Sequence, residues 1–112
     1  MRRSVRVTSP AELLLSVQLE QAGIRFVREF VVAPPRKYRC DFYVPRDLLV
    51  EVDGGAWTGG RHVRGAGVES DCEKSALAAG RGYRFMRVTP AQVDDGRALA
   101  WIRDAVAWNR AA

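Results

Sequence analysis

The sequence predicts one α/β domain with the element order α-β-β-β-α-β-α. Three observations carry that expectation. Helix-start signatures recur at Ser9-Pro10-Ala11-Glu12, Ser70-Asp71-Cys72-Glu73 and Thr89-Pro90-Ala91-Gln92. Each sets a hydroxyl residue three places before Glu or Gln, the spacing at which the two side chains can satisfy the free amides of a helix start. Between them lie short apolar runs with strand-like alternation, punctuated by Gly and Pro. The whole is 112 residues long, the size of a single domain.

The first helix is expected over about Pro10–Ala22, with Pro at its first position and Gly23 ending it. Leu14, Leu15, Val17 and Leu19 form its apolar stripe. Ile24 to Val32 alternates, Ile24 and Phe26 first and, after a shift, Phe30 and Val32, which reads as a strand broken by Ala33-Pro34-Pro35. A hairpin follows: Tyr38–Val44, a Pro45-Arg46-Asp47 turn, then Leu48–Asp53. From Gly54 to Val68 no period is visible and six glycines crowd the segment, so a loop is expected there. Ser70 is expected to open the second helix, which ends near Gly80 or Gly82. Tyr83–Val88 is the fourth strand. The last helix starts after Thr89, is interrupted near Gly96, and buries Leu99, Trp101, Ile102 and Val106.

Composition narrows the function classes. Hydrophobic residues make up 47% and charged residues 28%, an ordinary globular balance. The net charge of +5 comes from 18 Lys plus Arg against 13 Asp plus Glu, and nearly all the positive charge is arginine. Guanidinium groups suit bidentate phosphate contacts, which makes nucleic acid the first partner to consider; charge for solubility alone is the rival explanation. Two cysteines, Cys40 and Cys72, supply neither a disulfide framework nor a zinc site. Cys40 is expected to be a small core residue facing away from Asp41. No apolar run is long enough to cross a membrane, and no signal core follows Met1-Arg2-Arg3, so an intracellular, cytoplasmic protein is expected.

The hairpin holds the candidate chemistry. If it pivots on Arg46, Asp41 lies across from Glu51, and Arg39 across from Asp53. Directly opposed residues have Cβ atoms about 4.5–5.5 Å apart, where like charges repel. A divalent cation gives such a pair a purpose, because Mg²⁺ favours clustered oxygen ligands. Two acids facing solvent is the plainer alternative.

In order along the chain, Glu12, Asp41-Phe42, Glu51-Val52-Asp53-Gly54, His62, Asp71-Cys72-Glu73-Lys74 and Gly82-Tyr83-Arg84-Phe85-Met86-Arg87 resemble the PD-(D/E)XK nuclease superfamily. The pattern looks most like its small very-short-patch-repair-type and phage endonuclease-like members, and extends over about residues 9–108. The resemblance implies a restriction-endonuclease-like core, a mixed four-stranded sheet flanked by helices, and Mg²⁺ or Mn²⁺ as cofactor. It also leaves a phage-encoded origin open. In the superfamily a lysine follows two residues after the glutamate; here that place is taken by Asp53. His62 and Lys74 are the candidates to supply the missing positive charge.

The resemblance assigns catalytic roles to Glu12, Asp41, Glu51, Asp53, His62 and Lys74, with Asp41 and Glu51 as metal ligands. Several have ordinary explanations too: Glu12 as the third residue of its capping box, Asp53 as an ion-pair partner of Arg39, Lys74 as an exposed partner of Asp71. His62, with an ordinary pKa near about 6.5, could carry a proton near neutrality. Arg36, Lys37, Arg39, Arg61 and Arg64 are candidate DNA phosphate contacts, and Trp57 either stacks on a base or fills a gap under the loop. The function expected is metal-dependent endonucleolytic cleavage of DNA, structure-selective or nicking, with a homodimer needed to cut both strands. The alternatives are a binding module that keeps the fold without the chemistry, or a nuclease subunit of a larger restriction or transposition complex.

Overall fold

The computed structural model describes residues 8–54, 57–58, 61–62 and 66–111. Helix α1 spans Pro10–Gln21, and strands β1, β2 and β3 span Val27–Val31, Arg39–Val44 and Leu48–Val52. Two-residue strands β4 (Trp57–Thr58) and β5 (Arg61–His62) follow, then α2 (Ala66–Gly80), β6 (Arg84–Val88), α3 (Pro90–Asp94) and α4 (Arg97–Ala111). The main sheet has the order β1-β2-β3-β6, with β3 and β6 parallel and the other neighbours antiparallel. This is the expected mixed four-stranded sheet flanked by helices. The parallel pair is joined through α2, since parallel neighbours cannot be closed by a tight turn.

Each sheet face has its own core. Phe42, Val44, Leu48, Val50 and Val88 pack with Leu15 and Leu19 of α1, Val93 of α3, and Ala98 and Ile102 of α4. On the other face Val32, Ala33, Cys40 and Leu49 pack with Ala78 of α2, bordered by Phe30, Tyr43, Tyr83 and Phe85. Fully burying one such aliphatic or aromatic side chain contributes about 1.5–3 kcal/mol, so these two layers hold the sheet between the helices.

The hairpin pivots on Arg46 as expected, with Phe42↔Val50, Tyr43↔Leu49 and Val44↔Leu48 as partners. Gly23, Gly82 and Gly96 have φ of +73°, +83° and +90°, the left-handed backbone that lets each helix stop and the chain turn. Thr89 and Gln92 form the full reciprocal capping box at α3.

Four expectations need correction. Helix α2 begins at Ala66, so Ser70 lies inside it; Ala66, Val68 and Glu69 are compatible with a helix, and the Ser70 hydroxyl meets Tyr38 instead of capping. The glycine-rich loop is correspondingly shorter, and Trp57 pairs with His62 in the β4–β5 ladder. Val17 is 46% and Trp101 41% exposed, because the apolar stripes of α1 and α4 are wider than the faces they bury. The first strand is confined to Val27–Val31, since Ile24 still belongs to the α1 cap through its amide bond to Leu19 O.

Cys40 is fully buried, its thiol donating to Val50 O at 3.3 Å. Burial, with Glu51 nearby, pushes its pKa up to about 12. Cys72 is exposed. A thiol reagent is therefore expected to modify one cysteine per native chain and two in denaturant. Because the folded pKa of Cys40 is raised, its contribution to stability is intact below about pH 9 and lost as pH climbs toward 12.

Candidate metal centre

A local break in the sheet builds the site. On β1 and β2 the partners are Arg28↔Phe42 and Phe30↔Cys40, with Glu29 and Asp41 between them. Phe42 belongs to the α1-side core, yet Cys40, two residues away on the same strand, belongs to the α2-side core. Strict alternation would put both on one face. Arg28 likewise lies over the Phe42 ring, while Phe30 stacks on Tyr43 at the other face. The change of face falls at Glu29 and Asp41, and Glu29 has φ +54°. A left-handed backbone costs a residue with a Cβ about 1–2 kcal/mol. Glu29→Gly is thus expected to raise unfolding free energy by about 1 kcal/mol in urea titrations while weakening divalent-ion binding.

Carboxylate oxygens of Glu12, Glu29 and Asp41 all lie within 4.8 Å of one another. Glu12 is 5% exposed and Asp41 2%. Helix α1 delivers Glu12: Ser9 Oγ accepts the Glu12 amide at 3.2 Å, but the Glu12 carboxylate does not return to the cap. It accepts from Arg28 Nη2 at 2.6 Å. The capping-box explanation of Glu12 is therefore half right, because its carboxylate takes the Arg28 guanidinium in place of the Ser9 amide. Asp41 Oδ2 accepts the Val52 amide at 2.9 Å, which fixes the carboxylate against β3. A cleft of about 400 Å³ lined by Ser9, Pro10, Ala11, Glu12, Val52, Gly54 and Pro90 lies beside the cluster.

The donor set suits a hard divalent cation. Two oxygens bound to one ion at about 2.1–2.4 Å lie no more than about 4.2–4.8 Å apart, the span observed here. Three carboxylates and no sulfur or imidazole favour Mg²⁺, Mn²⁺ or Ca²⁺ over zinc.

Glu51 stands outside this group of three. Its carboxylate pairs with Lys74 Nζ of α2, which also donates to Arg39 O at 2.6 Å. Lys74 thus reaches Glu51 and not Asp71, because its side chain points at the sheet and is largely covered. The ion pair foreseen between Asp53 and Arg39 is also corrected: Asp53, just past the end of β3, pairs with Arg87 of the parallel strand β6 at 3.3 Å. Arg36 is tied to Glu73 and to Tyr38, whose hydroxyl donates to Glu73 at 2.6 Å. These bonds hold the Glu73 carboxyl below its usual range, so the tie persists above ordinary carboxylate pKa values and weakens as pH falls through the lowered one. Lys37 and Arg39 are exposed. His62 and Arg61 are described through their backbone pairing with Trp57 and Thr58; their side chains, and all of Arg64, lie outside the described residues.

Sequence reasoning missed Glu29 and Arg28. The shift between the Ile24/Phe26 and Phe30/Val32 alternations was their signal, since it marks where the strand changes face. Gly54 is also part of the frame: a Cβ there would meet Pro90 Cγ at 2.9 Å. Gly54→Ala is expected to lower stability by about 1–3 kcal/mol, measured by thermal melting, because α3 must shift away from the end of β3.

The chain thus has helices on both faces of a mixed sheet, with acids gathered where β1 and β2 change face. The catalytic domain of the homing endonuclease I-Bth0305I is similar to this chain, with a TM-score of 0.60 at 19% identity. The match covers 88% of this chain and 91% of that domain. At that identity the likeness establishes the fold. No family model matches the sequence, and no curated protein matches it.

Proposed function

We propose that this chain is a metal-dependent endonuclease that hydrolyses phosphodiester bonds in DNA. The observation that carries the reading is the buried Glu12–Glu29–Asp41 cluster at the face change of an endonuclease-like sheet. Asp41, Glu12 and Glu29 would hold one Mg²⁺ or Mn²⁺. Such an ion supplies charge neutralisation at the phosphate and a more acidic bound water. Among the chain's own groups, the Val52 amide holds Asp41 in one rotamer, and Arg28 holds Glu12. Lys74, paired with Glu51, is the candidate to supply the positive charge that the superfamily takes from its lysine. Lys37 and Arg39 are available to the DNA backbone, as Arg36 is once released from Glu73.

The similarity to the catalytic domain of a homing endonuclease supports DNA as the substrate. Structure-selective cleavage or nicking is the finer reading, and cutting both strands would take a homodimer. The competing reading, a binding module without chemistry, has one observation in its favour: Asp53, at the place of the missing lysine, is occupied by Arg87. A nuclease subunit that needs a partner to choose its site is distinguished by inactivity alone and activity on reconstitution.

Incubating the protein with branched, nicked and linear DNA in Mg²⁺, Mn²⁺ or chelator tests the reading. Metal-dependent cleavage that chelator abolishes is expected. Tight binding of the same DNA with no cleavage in either metal would replace the enzyme by the module.

A further inference from the structure

We propose that the free edge of β6 is a self-association surface, to which a second copy of the chain adds its own β6 antiparallel about a two-fold axis at Met86. Two four-stranded sheets would thereby join into one. The outer strands of the main sheet are β1 and β6. In β1 the ladder is interrupted at Glu29, whose φ of +54° turns the strand, a device that discourages edge pairing. β6 keeps a regular register with β3 over Arg84–Val88 and has no residue of positive φ. Arg84 N donates to Asp47 O at 2.8 Å, and Val88 O accepts from Asp53 N at 2.7 Å. By the two-residue period of a strand, the backbone groups of Arg84, Met86 and Val88 therefore turn toward β3. Phe85 and Arg87 turn their amides and carbonyls outward, and among the described residues no hydrogen bond from another element takes them.

The edge fits a copy of itself. About a dyad at Met86, Phe85 of each copy stands opposite Arg87 of the other, and each such pair can exchange both N–H···O bonds because both residues face outward. The side chains suit this register. Within one chain the Arg87 guanidinium already lies 5.5 Å from the Phe85 ring, and across the dyad the same aromatic-to-cation contact recurs in place of arginine against arginine. Charge, the usual guard of an edge, is neutralised inside the chain: Arg84 pairs with Asp47 at 2.9 Å and Arg87 with Asp53 at 3.3 Å. Arg84 also donates to Ala105 O of α4 at 3.0 Å. Trp101 and Trp108 stand four residues before and three after Ala105, on the same flank of that helix, and are 41% and 71% exposed. In a two-fold pair these indoles add on the order of 500 Å² of apolar surface to the strands, against about 1,200 Å² for a specific interface, which makes a weak dimer. With strands about 4.8 Å apart, the acidic clusters of the two copies would lie about 25–35 Å apart on one face of the joined sheet, about one turn of duplex DNA. This surface serves the homodimer of the proposed function and stands without the metal.

Sedimentation velocity and amide hydrogen exchange across protein concentration test the surface. A monomer at about 1 μM that becomes a dimer toward about 500 μM is expected. The Phe85 and Arg87 amides are expected to exchange at least about tenfold more slowly in the dimer, while those of Met86 and Val88, bonded to β3 in both states, change less. Arg87→Pro removes one outward amide and no bond to β3, and is expected to raise the dissociation constant at least about tenfold. Arg87→Ala keeps that amide and is expected to weaken the dimer less. Should Arg87→Pro fail to fold, as judged by circular dichroism, the exchange comparison in the wild-type chain decides alone. A monomer at every concentration overturns the proposal, whether the edge then serves a strand of another protein or none. A dimer whose Phe85 and Arg87 amides exchange at the monomer rate overturns it equally. A dimer of the expected kind that cleaves no DNA would end the nuclease reading and leave this one standing.

Discussion

Asp41→Asn is expected to abolish metal-dependent DNA cleavage while leaving the protein folded. Asp41 is almost fully buried, and its Oδ2 accepts the Val52 amide. Truncation to Ala would strand that amide and cost about 1–3 kcal/mol, confusing instability with lost chemistry. Asn keeps the shape and one accepting oxygen for the Val52 amide, removes the negative charge and turns the second ligand oxygen into an amide donor. Loss of one anionic ligand from a three-carboxylate centre is expected to lower the cleavage rate at least about a hundredfold at fixed Mn²⁺, or about 3 kcal/mol of barrier. Plasmid nicking rates report the first effect and thermal melting the absence of the second. Wild-type rates in Asp41→Asn would mean that the ion, if one is used, binds elsewhere.

Lys74→Met is expected to act on stability and function together. Lys74 and Glu51 are 12% and 18% exposed, so the pair is largely removed from water. Breaking a buried pair by deleting one partner costs about 3–5 kcal/mol, and the partial exposure here brings the expected loss to about 2–3 kcal/mol. Much of that loss is the stranded Glu51 charge, so adding Glu51→Gln should restore part of the stability, with a coupling of about 1–3 kcal/mol in the double-mutant cycle. Cleavage should not return with it if Lys74 supplies the positive charge proposed for it above. Strict additivity in urea titrations would show that the two side chains do not meet in solution.

These two residues also show how far the sequence could be read. The Asp41 position and the Arg46 pivot followed from alternation and turn chemistry, which are local and written in neighbouring residues. The partner of Lys74 did not follow, because the side chain reaches across to Glu51 of β3, a long-range contact between α2 and the sheet that no local spacing encodes. Glu12 was identified on its helix, yet its carboxylate turned inward to Arg28, a long-range ion pair that no local spacing encodes. Glu29 was hidden for a related reason. Its strand period was read as a slip in alternation, while the left-handed backbone that creates the slip is imposed by packing on both sheet faces. Register is legible where one face is buried and the period is two; it is lost where a strand changes face. Glu51 illustrates the boundary: the hairpin arithmetic places it across from Asp41, but side-chain direction sends it to Lys74.

Manganese anomalous scattering from crystals soaked in Mn²⁺ tests the central claim most directly. One peak per chain is expected, within about 2.2 Å of carboxylate oxygens of Asp41 and of Glu12 or Glu29, with Arg28 still bound to Glu12. Manganese at Glu51 and Asp53 with none at Asp41, or no peak beside any of the three acids, would contradict it.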